Sequence, residues 1–569
     1  TLETALIAIQ KTKDDRGILI GASAVSLHIP VDYWAVADRV LSSPGNTQAS
    51  AASGDTSGVT VGTFDWRLLL VSTHRWLGIV GGVLFLTWFV SGIVLMYAGM
   101  PSLSESERLR RLRPLDLARI AVTPEEAVDA VGASPRQVVI SMVGERPAYR
   151  FSHLGRWTTV YADTGQRLLG LNRDQAVEIA RDFDSSRVAA AHYDQHLSRA
   201  DQWTIGAISY RPLHRIVFDD PQDTHIYVSD RTGQVILETT ARSRRWAYAG
   251  AVLHWLYFTP FREHATLWLQ TMIWGSILGC VMTLTGLVWG VWCVLLPRRR
   301  GFDREERSWS PYSGLMRWHH YAGLVFGCVT FTWILSGCLS LEPFSWHPGT
   351  TPTAEQQAAV AGAPYRLQGI AVDDLQSVVV AISQSFTPHE LEFVQFRGRM
   401  FVRAQDGATG RQRLASIGAA ATVGLFSRFP DDEVMVAARR AIPSASVTEA
   451  RWIDEYDAYY YDRSGTRPLP VLRAKYDDAE ETWLYIDPSR GAIVRKEERL
   501  TRLNRWLYHG LHSLDFPFLY YRRPLWDIVV IGLSLGGVAL SVTTLLPAWR
   551  RVRRHARRMV NSLLNPSSS

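Results

Sequence analysis

The sequence predicts an α-helical membrane bundle of four spans, built as a pseudo-twofold duplication and carrying two α+β domains on its outer side. Three observations predict it. Four uncharged runs, about Trp76–Met100, Leu267–Leu296, Tyr321–Leu341 and Ile528–Trp549, are long enough to cross ~30 Å of hydrocarbon, which takes roughly 20 residues. Two long polar segments, about 102–263 and 342–523, lie between them, and a mean hydropathy of -0.04 is too low for spans alone. Stretches of the first half also recur in the second half at fixed offsets.

Taken in order, residues 1–65 read as a cytoplasmic N-terminal extension. Its Ser42–Gly58 stretch is rich in Ser, Ala and Gly, the composition of a flexible linker. The first span (66–100) starts too late and runs too long for a signal peptide. The first outer domain (101–245) contains "VTPEEAVDAV" (122–131), which predicts a helix with Thr123 as N-cap, Pro124 at the first helical position and Glu126 closing a capping box. "WTTVYADTGQRLLG" and "THIYVSDRTGQVILE" alternate apolar residues around Gly-containing turns and predict β-hairpins. An interfacial helix and second span (246–297) lead to a cytoplasmic loop (298–315) and a third span (316–342). The second outer domain (343–503) repeats the pattern with "VDDLQSVVVAI" and "TWLYIDPSRGAIV". Each domain is therefore expected to hold small antiparallel sheets with a helix alongside. An interfacial helix and fourth span (504–549) and a basic cytoplasmic tail (550–569) complete the chain.

The net charge of +7 does not point to nucleic acid, because the excess sits beside helix ends. Arg298, Arg299 and Arg300 follow the second span; Arg550, Arg551, Arg553, Arg554, Arg557 and Arg558 follow the fourth. Short Arg-rich segments stay inside, so a multi-pass membrane protein is predicted, with both termini on the cytoplasmic side and both domains outside. Arg108, Arg110, Arg111 and Arg113 run against this rule. They open a long loop, are mixed with Glu105 and Glu107, and long domains translocate regardless of charge. Many of the 21 Trp crowd span ends (Trp66, Trp76, Trp268, Trp318, Trp526, Trp549), as an interfacial belt requires. The four Cys (280, 293, 328, 338) all lie in spans, so no disulfide framework is expected in the domains, and without C-x-x-C-H no haem is attached covalently.

The duplication decides how the histidines are read. "THRWLGIVGGVLFLTWFVSG" (73–92) matches "WHHYAGLVFGCVTFTWILSG" (318–337) at an offset of 245, which lays His74 on His319, Trp88 on Trp333 and Ser91-Gly92 on Ser336-Gly337. "THIYVSDRTGQV" (224–235) matches "TWLYIDPSRGAI" (482–493) at an offset of 258, which lays His254 on His512, Trp268 on Trp526 and Asp219-Asp220 on Asp477-Asp478. A single interfacial His is usually just a solvated polar residue. Two repeat-matched pairs at two depths, packed about a pseudo-twofold axis, suit two haem irons, each needing neutral imidazole on both faces. His320 and His509 have no counterparts (Arg75 and Ala251 stand there) and are kept as alternative ligands, proton carriers or partners of haem propionates. His192 and His196 ("HYDQH") have the i, i+4 spacing of a metal pair on one helix face. Their matched positions at that offset are Ala450 and Asp454, which weakens the reading. The paired Asp are expected to be turn acids. Trp88 and Trp333 are expected to pack mid-membrane or to lie between the haems.

"RPLPVLRAKYDDAEETWLYIDPSRGAIVRKEERLTRLNRWLYHGLHSLDFPFLYYRRPLWD" and "RWHHYAGLVFGCVTFTWILSG" resemble the PepSY-associated transmembrane family, over about residues 66–550. The resemblance implies PepSY-like outer domains and two non-covalent b-type haems. It implies reduction of a ferric siderophore, or another ferric chelate, on the periplasmic side in support of iron uptake. By position it carries haem ligation onto His74, His319, His254 and His512, with His509 as an addition; which two serve each iron stays open. No G-x-G-x-x-G or Walker A is present, so electrons are expected from membrane quinol or a separate cytoplasmic reductase. Two other classes compete: a PepSY module that binds a peptide or peptidase without redox activity, and a siderophore permease. The permease is disfavoured because the spans carry almost no charge at mid-depth.

Overall fold

The computed structural model describes residues 65–564 except 117, 133, 186, 188, 296–308, 363–364, 418–423 and 464. The chain divides between Trp66 and Arg67, and the described elements belong to the second part. The Ser42–Gly58 linker and Arg298–Arg300 lie outside the described residues.

The helices that frame the fold are α1 (Trp66–Leu95), α2 (Pro124–Val131), α3 (Arg173–Phe183), α4 (Ala265–Leu295), α5 (Gly314–Leu339), α6 (Val372–Ser383), α7 (Asp431–Ala441) and α8 (Leu525–Leu564). Four of them, α1, α4, α5 and α8, are long and apolar enough to cross a membrane. They extend past the apolar runs because helix formation needs no hydrocarbon. The Arg-rich end of α8 continues as helix on the propensity of Arg and Ala. Val80, Val83, Val325 and Ile528 stand mostly exposed on these helices. Such apolar faces are unfavourable in water and neutral against lipid. Inside the bundle Phe85, Phe89 and Ile334 form a core with Trp88, Trp333, Met282 and Val538 packed on it.

The polar segments fold as antiparallel sheets with helices alongside. One four-stranded sheet runs in sequence order: β4 (Ala191–Leu197), β5 (Leu213–Phe218), β6 (His225–Ser229) and β7 (Val235–Thr239). A second has the same order: β12 (Val447–Ile453), β13 (Val471–Tyr476), β14 (Trp483–Asp487) and β15 (Ala492–Glu497). The remaining strands are β1 (Gln137–Val143), β2 (Arg146–His153), β3 (Arg156–Tyr161), β8 (Glu390–Phe396), β9 (Arg399–Gln405), β10 (Gln412–Ser416) and β11 (Leu425–Phe426). They form one seven-stranded sheet rather than two separate ones, joined where β1 pairs with β8 (Ile140 opposite Leu391). Pairing two edge strands removes both exposed ladders at once. Glu390 of β8 anchors this seam, taking Arg108 at 2.9 Å and Arg150 at 2.7 Å, both from the first half of the chain.

Local sequence signals map onto these elements. Thr123 and Glu126 form the capping box of α2, and Pro124 is its first residue. The hairpins β6–β7 and β14–β15 form as predicted. The hairpin predicted at "WTTVYADTGQRLLG" reduces to β3 and a single bridge, Val160 to Arg167. Beyond it the chain leaves the sheet, and the Leu171 amide donates to Asp230 on its way into α3. The second Asp of each pair is a turn acid: Asp220 accepts from the Thr224 amide and hydroxyl, and Asp478 does the same for Thr482. Asp219 instead meets His192, and Asp477 accepts from the Ser446 amide.

Candidate functional site

The structure brings the four repeat-matched histidines together as two facing pairs. His74 on α1 and His319 on α5 lie with ring centroids 6.1 Å apart. His254 and His512, from the segments that precede α4 and α8, lie 6.2 Å apart. Two imidazoles bound through nitrogen to opposite sides of one metal ion, at about 2.0 Å each, put their centroids roughly 6 Å apart. Both pairs are at that separation.

Each Nδ1 is held, which directs the opposite nitrogen of each ring to the ligand role. His254 Nδ1 sits 3.2 Å from both the Trp88 carbonyl and Ser91 Oγ. His512 Nδ1 sits 3.0 Å from the Trp333 carbonyl and 3.2 Å from Ser336 Oγ. His74 Nδ1 donates to the Met282 carbonyl at 2.8 Å. His319 Nδ1 donates to Thr543 and Thr544, whose hydroxyls are themselves spent on α8 carbonyls. The serine and glycine of the repeated Ser-Gly pair thus have separate tasks. Serine meets the imidazole, and glycine makes room for it: a Cβ on Gly92 or Gly337 would lie 3.3 Å from the Cε1 of His254 or His512.

The turns that carry His254 and His512 were not legible in the sequence beyond the nearby prolines. A π-helical segment precedes each, Tyr248–Val252 and Arg505–Gly510, a device common at functional sites. Each histidine turn then ends on a left-handed leucine, Leu256 or Leu514. Trp268 and Trp526, predicted as belt residues, are instead buried. Their indoles donate to the carbonyls of Trp255 and Ser513 at 2.9 and 3.0 Å and pin these turns to α4 and α8. Trp76, Trp318 and Trp549 remain exposed at span ends, as a belt requires. The outer pair also reaches deeper into the bundle than "interfacial" suggests. Its contacts to Trp88 and Ser91 lie 14 and 17 residues beyond His74 on α1, which puts the layers ~21–26 Å apart.

Burial holds His254 down to about 4, the neighbouring His512 adds to this, and the Trp88 carbonyl opposes it. It is therefore neutral, the form that binds a metal. Around the inner pair lies a cavity of about 470 Å³, within the size range of cofactor sites. Gly78 and Gly82, Gly286 and Gly290, and Gly323 and Gly327 line it from three helices. Arg75, Arg551 and Arg554 also line it, cations suited to carboxylates.

The two unmatched histidines have other surroundings. His320 lines the same cavity, but its nitrogens already engage Ser310 Oγ and the Gly290 carbonyl, both at 2.9 Å. His509 packs on Tyr508 and Tyr461, beside the outer pair. Burial, reinforced by the charges of Arg505 and Arg463, lowers it to about 4 against the pull of Asp515. His192 and His196 do not share a helix face: they lie on β4, where a bulge separates them. Trp88 and Trp333 pack on Phe85, Phe89 and Ile334, and their carbonyls face His254 and His512.

No known family model matches the chain, and no curated protein matches it in sequence.

Proposed function

We propose that this chain is a membrane oxidoreductase that holds two non-covalent b-type haems between its histidine pairs and delivers electrons to a ferric siderophore or other ferric chelate outside the membrane. The observation that carries the reading is the pair of imidazole couples at 6.1 and 6.2 Å, each with its Nδ1 atoms tied down. Haem iron held by two imidazoles supplies reversible one-electron transfer and no open position for a substrate. The residues present fit that group: imidazoles held at Nδ1, glycine walls and arginines suited to propionates.

The chain's own part is to fix and insulate. Carbonyls of Met282, Trp88 and Trp333 and the hydroxyls of Thr543 and Thr544 orient the rings and raise their basicity as ligands. Phe85, Phe89, Trp88 and Trp333 fill the space between the layers and exclude water from it. Arg463, whose side chain is partly exposed near His509 and His512, favours an anionic chelate at the outer layer. Electrons enter from membrane quinol or a separate cytoplasmic reductase. The protein sits in the inner membrane of a bacterium, termini inside and PepSY-like domains in the periplasm; the pseudo-twofold duplication is what supplies two equivalent ligand sets.

The test is haem content. Pyridine haemochrome analysis of the purified protein gives about two haems per chain, extractable with acid acetone. His512→Ala and His74→Ala each lose one, and His512→Ala also abolishes reduction of a ferric siderophore added outside. A colourless protein from haem-replete cells refutes the reading. Reporter fusions near residues 170 and 420 report periplasm, and one after Arg558 reports cytoplasm; the opposite pattern refutes the orientation.

A further inference from the structure

Far from the bundle histidines, a second cluster of ligand-type side chains lies on the first four-stranded sheet. His196 on β4 and His214 on β5 are direct cross-strand partners, and Asp230 follows β6 by one residue. The ligand atoms of the three residues all fall within 4.8 Å of one another. We propose that His196, His214 and Asp230 bind a divalent first-row transition-metal ion, independently of the haem reading.

The spacing is that of a ligand set. His214 Nε2 lies 3.0 Å from Asp230 Oδ1, and His196 Nε2 lies 3.7 Å from Asp230 Oδ2. Two donors on one tetrahedral ion, at about 2.0–2.1 Å each, are separated by roughly 3.3 Å. The observed distances bracket that value, so small side-chain rotations close the site. In the metal-free state a proton fills the gap between His214 and Asp230, and the ion replaces it. The outer partners are in place as well. His214 Nδ1 is 3.1 Å from the Tyr193 hydroxyl, and the Leu171 amide donates to Asp230 Oδ1 at 2.6 Å. Such contacts fix the orientation of metal ligands. His196 is 45% exposed, so the ion has a route in and a coordination position open to water. Two imidazoles and one carboxylate, without thiolate, select a borderline ion such as Zn(II), Co(II) or Fe(II) over Mg(II) or Ca(II).

A purely structural role for the cluster is countered by the companion sheet. There the register pairs Leu472 with Trp452 at the corresponding cross-strand place, and Pro488 follows β14 where Asp230 follows β6. The same fold is thus built with a fully apolar pair. His214 is only 3% exposed. Its nitrogens face Tyr193 and Asp230, so the buried imidazole serves this polar cluster where leucine suffices for packing. The helix-face spacing of "HYDQH" pointed at the right residue for the wrong reason, because the partners come from neighbouring strands.

The test uses the full-length detergent-solubilised protein, stripped with a chelator and titrated with Zn(II) alone. Wild type binds one more Zn(II) per chain than His196→Ala. Because His196 is exposed, that variant keeps its thermal unfolding midpoint. His214→Leu, the residue of the companion sheet, loses the same ion. Tyr193→Phe keeps the ion with affinity about 10–100-fold weaker, the usual loss for an outer partner. Co(II) loaded into wild type gives visible d–d bands that His196→Ala lacks. Equal Zn(II) stoichiometry and affinity in wild type and His196→Ala, or identical Co(II) spectra, would overturn the proposal.

Discussion

Replacing Gly286 by alanine tests the inner histidine layer without touching a ligand. A Cβ on Gly286 would fall 2.4 Å from His74 Cε1 and 2.7 Å from its Nδ1, whereas ordinary contact begins at 3.4 Å. The ring must retreat by the difference between 3.4 and 2.4 Å, about 1 Å, while metal–ligand distances tolerate only about 0.2 Å. Retreat also stretches the 2.8 Å hydrogen bond from His74 Nδ1 to Met282, a loss of ~0.5–1.5 kcal/mol. Overpacking itself costs about 1–3 kcal/mol, which a four-helix bundle with an internal cavity tolerates. The expected outcome is a folded protein with one haem per chain instead of two, read by pyridine haemochrome, and the loss maps to the inner site. Gly532→Ala is the control: nothing lies within 4 Å of its Cβ, and it is not among the residues lining the cavity, so haem content stays at two. If Gly286→Ala also keeps two haems with an unchanged reduced spectrum, His74 is not a ligand.

Two further outcomes follow from the geometry. Ser336→Ala removes one of the two atoms facing His512 Nδ1 but leaves the Trp333 carbonyl. Haem at the outer site weakens by up to about 10–100-fold, seen as faster loss to apomyoglobin, while the inner site is unaffected; unchanged transfer kinetics would exclude a role for the hydroxyl. At the sheet seam, burial raises the Glu390 carboxyl, but Arg108 and Arg150 overcome this and hold it at about 2. A carboxyl depressed in the folded state stabilises above its unfolded value of ~4.3 and loses that contribution as pH falls toward 2. The stake is about 3 kcal/mol, so thermal stability of the sheet domains declines between pH 4.5 and 2, and Glu390→Gln flattens that decline. An unchanged acid profile in Glu390→Gln would place the acid sensitivity elsewhere.

The sequence by itself determined the four apolar helices, the α2 cap, two hairpins and the equivalence of the histidines. These are properties of short windows: apolar length, capping chemistry, turn residues and a repeat that an ungapped match reveals. Tertiary structure alone decided that equivalent histidines face each other, since His74 and His319 are 245 residues apart and no local pattern states a distance across a bundle. It likewise decided the joining of β1 to β8, because an edge strand's preference for a partner is not encoded in its own alternation. The same holds for Trp268 and Trp526. Their sequence setting is that of a membrane belt, and only the histidine turn that follows each π-helical segment supplies the carbonyl, of Trp255 or Ser513, that draws each indole inside. His196 shows the limit most plainly: its chain neighbour in spacing is His192, but its chemical neighbours, His214 and Asp230, are reached only through strand register.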